Sequence, residues 1–179
     1  LKPERKEERI RWDISQTPLK ILFVGNSLLL GVLNQYGMCA SSPQKDYAWL
    51  VMQEIRKHNP NCAFEKLQGS GWEHAESMEA FENWFWREEN IYTHRPAAES
   101  FTKDLTLILI QLTDNVNTEK KIRNFEKTLD PFIRYIRELS PGAAILWIHG
   151  WYNRENTCDV LAEACNRWKI ARIDISDLN

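Results

Sequence analysis

No apolar run in this sequence approaches the roughly 20 residues needed to cross a bilayer as a helix, so a membrane span is not expected. Glycine and proline number only seven each, too few for a collagen-like chain or a linker. The four cysteines (Cys39, Cys62, Cys158 and Cys165) include no CxxC pair. That argues against a zinc ribbon or a thioredoxin-type redox motif, and the four read as reduced thiols serving as small hydrophobes. Neither sign of charge dominates: 23 Lys and Arg face 25 Asp and Glu, a formal charge of −2, so nucleic acid is not the expected partner. The first residues, LKPERKEERIRW, lack the apolar segment of a signal peptide, which points to a cytoplasmic protein, although there is no initiator Met.

What is present is one domain's worth of chain. The 179 residues are 43% hydrophobic, enough to bury a core of their own. Residues 1–17 read as an appended charged arm and 18–179 as the domain. Apolar runs of strand length alternate with longer amphipathic stretches. Strands are predicted at 19–24, 62–68, 105–111, 143–149 and 170–175, and helices at 46–58, 75–89, 119–139 and 157–168. The run LTLILIQ at 105–111 is apolar on both faces and is expected to be central. Pro131 lacks an N–H, so a break or kink is expected near Asp130. Five strands alternating with helices predict an α/β fold: a three-layer, doubly wound, five-stranded parallel sheet of flavodoxin-like type. Its site belongs at the carboxyl ends of the strands.

Three short segments follow the first three strands there. Gly25-Asn26-Ser27 places a hydroxyl at a turn where free N–H groups stabilise developing negative charge; Ser27 is equally a plain helix cap. Gly69-Ser70-Gly71 exposes backbone N–H groups without side-chain obstruction, or serves only positive φ. Asp114, Asn115 and Asn117 are either helix caps before Thr118 or, for Asn115, an amide donor to an oxyanion. Trp72 and Trp151 fall after the second and fourth strands, where an aromatic face stacks on a sugar ring, lines an acyl pocket, or packs under a loop. Trp84 and Trp86 lie two apart on one helix, so one of them is expected at the surface.

Taken together these segments resemble the SGNH hydrolases, the GDSL-like esterases and lipases. Gly25-Asn26-Ser27-Leu28-Leu29-Leu30-Gly31 is similar to the family's first block. Gly71, with Gly69 as alternative, stands for the second, and Thr113-Asp114-Asn115-Val116 for the third, with Thr in place of Gly and Val in place of Asp. The resemblance covers roughly residues 19–177. It implies Ser27 as nucleophile, Gly71 and Asn115 as oxyanion donors, a small-molecule ester substrate, and neither metal nor cofactor. The family's D-x-x-H block, which supplies the base, occurs nowhere here: Asp177 is followed by two residues. The base is therefore expected from a C-terminal segment outside the sequence, whose absence would leave one side of the sheet undercovered beside the last strand. His149 ends the fourth strand on the correct rim but reads as a buried structural histidine; His58, His74 and His94 are not assigned to catalysis. Two rivals stand beside an esterase: a non-catalytic binding module on the same fold, and a flavin or phosphate binder using the 25–27 turn.

Overall fold

The computed structural model describes residues 14–15, 18–31, 35–152 and 155–176. Most of the 1–17 arm, and Asp177, lie outside them. Five strands form one all-parallel sheet: β1 (Lys20–Gly25), β2 (Ala63–Gln68), β3 (Leu107–Gln111), β4 (Ala144–His149) and β5 (Ala171–Asp174), in the order β2-β1-β3-β4-β5. The helices are α1 (Tyr47–Arg56), α2 (Ser70–His74), α3 (Met78–Trp86), α4 (Glu119–Leu139) and α5 (Glu155–Trp168). β3 is central and every residue of it is buried, as its unbroken apolar run requires.

Alternation along the strands divides the core in two. Leu22, Val24, Ile108, Ile110, Ile145 and Trp147 face α2 to α5. Ile21, Phe23, Leu107 and Leu109 face α1, against Ala48, Met52 and Ile55. Beyond α1 that second face runs out of cover among the described residues. Ala144, Leu146 and Ile148 are only partly buried, and Ile173, paired with Ile148, is 43% exposed. The undercovered apolar strip beside the last strand is thus present.

Two elements differ from the sequence-based expectation. The helix expected at 75–89 is the shorter α3, which the Ser77 hydroxyl starts by accepting from the Ala80 N–H, and a separate short helix, α2, stands before it at Ser70–His74 where only a glycine turn was expected. And α4 runs through Pro131 without interruption. Proline inside a helix costs about 3 kcal/mol. Phe125, Leu129, Phe132, Ile133 and Ile136 are all buried on either side of it, at about 1.5–3 kcal/mol each, which outweighs that cost. As expected of the tryptophan pair, Trp84 is buried and Trp86 exposed. Of the four cysteines only Cys62 and Cys165 are buried; Cys39 is exposed and Cys158 half-buried.

Candidate active site

Ser27 lies in the turn that leaves β1, half-buried. The turn is tight: the Leu29 and Leu30 N–H groups both donate to the Asn26 carbonyl. It is held from below as well, since the Met38 N–H donates to the Ser27 carbonyl at 2.8 Å. A Cβ on Gly37 would stand 2.0 Å from the Leu28 carbonyl oxygen, so only glycine permits that approach. Ser27 is therefore not the N-cap of a regular helix.

The second turn distinguishes its two glycines. The Gly69 N–H donates to the Gly25 carbonyl at 2.6 Å and is spent on joining the first turn to the second. The Gly71 N–H lies in the first turn of α2, where the helix itself offers no acceptor. Gly71 is required by packing too, because a Cβ there would come 2.1 Å from Cδ1 of the buried Trp84.

The third turn carries strain. Thr113, at the position of the family glycine, is buried with φ of 121°, a region that β-branched residues avoid. The backbone shape suited to glycine is retained although the residue is not. Thr113→Gly is expected to stabilise the protein by about 1 kcal/mol, after the entropic cost of glycine is set against the relieved strain. Urea unfolding checks this, and a loss of stability would show that the Thr113 side-chain packing outweighs the strain.

These turns meet on one residue absent from the sequence-based assignment, Glu73 of α2, which is 2% exposed. Its Oε2 accepts from Asn26 Nδ2 at 2.6 Å and from Asn115 Nδ2 at 2.9 Å. Its Oε1 accepts from the Thr113 N–H at 2.7 Å and the Asn115 N–H at 3.3 Å. Asn115 therefore does not cap α4; the Thr118 hydroxyl does, accepting from the Lys121 N–H. Nothing local in the sequence marks Glu73, because its four donors come from 40 and more residues away. Asp114 binds the neighbouring parts of the rim, accepting from Gln111 Nε2 and from the Tyr152 N–H.

A cavity of about 330 Å³ opens at the same carboxyl edge, on the α1 side of the sheet. Leu28, Tyr47, Gln111, Ile148, Trp151 and Ile175 are among its lining residues. Trp151 thus stands at the cleft. Trp72 does not: it is a core residue, 3% exposed, its Nε1 donating to Thr128 Oγ1 at 2.8 Å and its ring against Phe125 and Phe132. The expectation of a substrate-binding Trp72 is corrected, since a short helix at that point turns the ring inward.

His149 is buried on the α5 side, its Nδ1 3.8 Å from Cys158 Sγ and its Nε2 without a hydrogen-bond partner among the described residues. Neither nitrogen reaches Ser27. Burial, reinforced by Arg172 and opposed by Asp174, holds its pKa below the ordinary histidine value. His58, His74 and His94 are exposed. Among the described residues no group of three or more His, Cys, Asp or Glu is arranged to hold a metal ion, and no helix is long and apolar enough to cross a membrane.

No protein-family model matches the chain, and no curated protein matches it in sequence. Solved structures do match in fold. A two-domain esterase active on acetylated mannans superposes with a TM-score of 0.56 at 16% identity, over 88% of this chain and 37% of that one. A family two carbohydrate esterase from Cellvibrio japonicus gives 0.61 at 12% identity, over 88% and 52%. An extracellular lipase from Streptomyces rimosus gives 0.50 at 13%, over 89% and 81%. The chain spans about half or less of the length of the carbohydrate esterases. The carbohydrate esterases and the lipase belong to the SGNH hydrolase superfamily, and the five-stranded parallel sheet described above is the SGNH hydrolase fold.

Proposed function

We propose that this chain carries the nucleophile and the oxyanion donors of a serine ester hydrolase. The observation that carries the reading is the meeting of the Asn26-Ser27 turn, α2 and the Asn115 loop at one carboxylate, beside a cavity at the carboxyl edge of the sheet. Ser27 Oγ has no hydrogen-bond partner among the described residues, so it is available to attack. It adds to the acyl carbon of an ester, and the tetrahedral oxyanion is held by the Ser27 and Gly71 N–H groups and the second N–H of Asn115 Nδ2. Collapse expels the alcohol and leaves an acyl-Ser27 ester, which water then cleaves to the acid. No metal or cofactor enters these steps.

The base that takes the Ser27 proton and returns it to the alcohol is assigned to a histidine outside these 179 residues. Two observations support this: no described histidine is hydrogen-bonded to Ser27, and the α1 face of β4 and β5 is only partly covered among the described residues. As substrate we favour an acylated carbohydrate or a small ester. Trp151 in the cavity wall and the acetyl-mannan esterase among the fold neighbours support that choice. The lack of an engaged histidine favours one rival, a non-catalytic binding module on the same fold.

Treating the full-length protein with a fluorophosphonate ester tests the choice. Covalent labelling at Ser27, located by peptide mapping, together with hydrolysis of p-nitrophenyl acetate, is expected of the enzyme. An unlabelled Ser27 and no turnover with esters of several acyl lengths would establish the binding module instead.

A further inference from the structure

We infer that Glu73 is the positioning residue of this site, the group that aims the Asn115 amide. The inference rests on the ester-hydrolase reading for its catalytic consequence, but not for its geometry. A carboxyl group buried to this degree is costly unless its oxygens are hydrogen-bonded. Here each oxygen faces two N–H donors, and all four belong to the turns after β1 and β3: Asn26 Nδ2 and Asn115 Nδ2 on Oε2, the Thr113 and Asn115 N–H groups on Oε1. Glu73 itself stands two residues after Gly71 on α2. One side chain thus locks all three oxyanion-bearing segments in register.

The lock has a direction. An Asn side chain can flip, exchanging Oδ1 and Nδ2, and a flipped Asn115 would present an acceptor where a donor is needed. Glu73 Oε2 admits only a donor, so it fixes Nδ2 on its own side and leaves the second Nδ2 hydrogen pointing elsewhere, ready for an oxyanion. Lys121 Nζ, 3.3 Å from the Asn115 carbonyl oxygen, adds a cation on the other side of the same residue. Glu73 makes no hydrogen bond to Ser27, so it acts through Asn115 and not on the substrate.

Glutamine is the informative replacement. It preserves shape but sets an N–H₂ group against two donors, which Asn115 relieves by flipping. In the full-length protein, Glu73→Gln is expected to lower kcat on p-nitrophenyl acetate by about 10²-fold, the usual effect of losing one oxyanion donor, with KM changed less than about threefold. In an Asn115→Ala background the same substitution is expected to cost nothing further, because the group it acts through is gone. Wild-type kcat in Glu73→Gln, or losses that multiply in the double variant, would overturn the inference.

A second measurement needs neither activity nor a variant. By NMR of the wild-type protein, the side-chain amides of Asn26 and Asn115 are expected to exchange with solvent at least about tenfold more slowly than that of the exposed Asn117. Equal exchange rates would sink the lock itself, whereas slow exchange in a protein without Ser27-dependent turnover would sink only the enzyme reading.

Discussion

Replacing Ser27 with alanine is expected to lower kcat for ester hydrolysis by the full-length protein by ~10⁴–10⁶-fold, the range for loss of a serine nucleophile that works together with a base. Stability should move by no more than about 0.5 kcal/mol, because the hydroxyl is half-buried and has no hydrogen-bond partner among the described residues. The contrast matters more than the loss itself. A residue that merely shaped the turn after β1 would take stability down with activity, since that turn is bonded to Met38 below. Parallel assays of p-nitrophenyl acetate turnover and thermal unfolding separate the cases. Unchanged turnover in Ser27→Ala would place the nucleophile elsewhere and remove the basis for assigning oxyanion roles to Gly71 and Asn115.

The largest expected loss of stability comes from Asp46. Its side chain is fully buried and makes three contacts at once. Oδ1 accepts from the Ala48 N–H at 2.8 Å as the N-cap of α1. Oδ2 accepts from the Gly37 N–H at 2.7 Å and pairs with Lys66 Nζ at 2.8 Å. Lys66 is itself only 13% exposed, and its other hydrogen bond among the described residues is to the Gln35 carbonyl at 3.3 Å. Asp46→Ala strands that ammonium, at about 3–5 kcal/mol, a fall of ~6–20 °C in Tm for a chain of this size. Asp46→Asn should cost less, because an amide oxygen still caps α1. There is a consequence for the site: Gly37 and Met38 support the Ser27 turn, so Asp46→Ala should reduce turnover even at temperatures where it remains folded. Full activity at unchanged Tm would show that the loop at 35–38 holds the turn without Asp46.

The order of elements, the central place of β3 and the family resemblance were all legible in the chain itself. They depend on local properties: apolar runs that alternate with amphipathic ones, and a glycine-containing turn after each of the first two strands. The Asp46 cap of α1 is local in the same sense, because it acts on a residue two positions away. Legibility stopped where a residue's role is set by partners distant in sequence. The Gly69-Ser70-Gly71 segment reads as a loop, and only the approach of Trp84 shows why residue 71 must be glycine in a short helix. Pro131 reads as a helix break, and only the buried face on both sides of it keeps α4 whole. Trp72 stands beside the cleft in sequence but packs against Phe132 and donates to Thr128, 56 residues on.

Glu73 is the clearest case. In sequence it is one acidic residue among 25, in the first turn of a helix where acidic residues are common. What sets it apart is that the crossovers β1-to-β2 and β2-to-β3 bring Asn26, Thr113 and Asn115 to the same point in space. Composition and periodicity determined the sheet and the edge at which a site could form, because burial patterns repeat every two or every 3.6 residues along the chain. Which side chains meet at that edge was decided by the tertiary structure alone, because hydrogen bonds between turns 40 residues apart leave no periodic mark on the sequence.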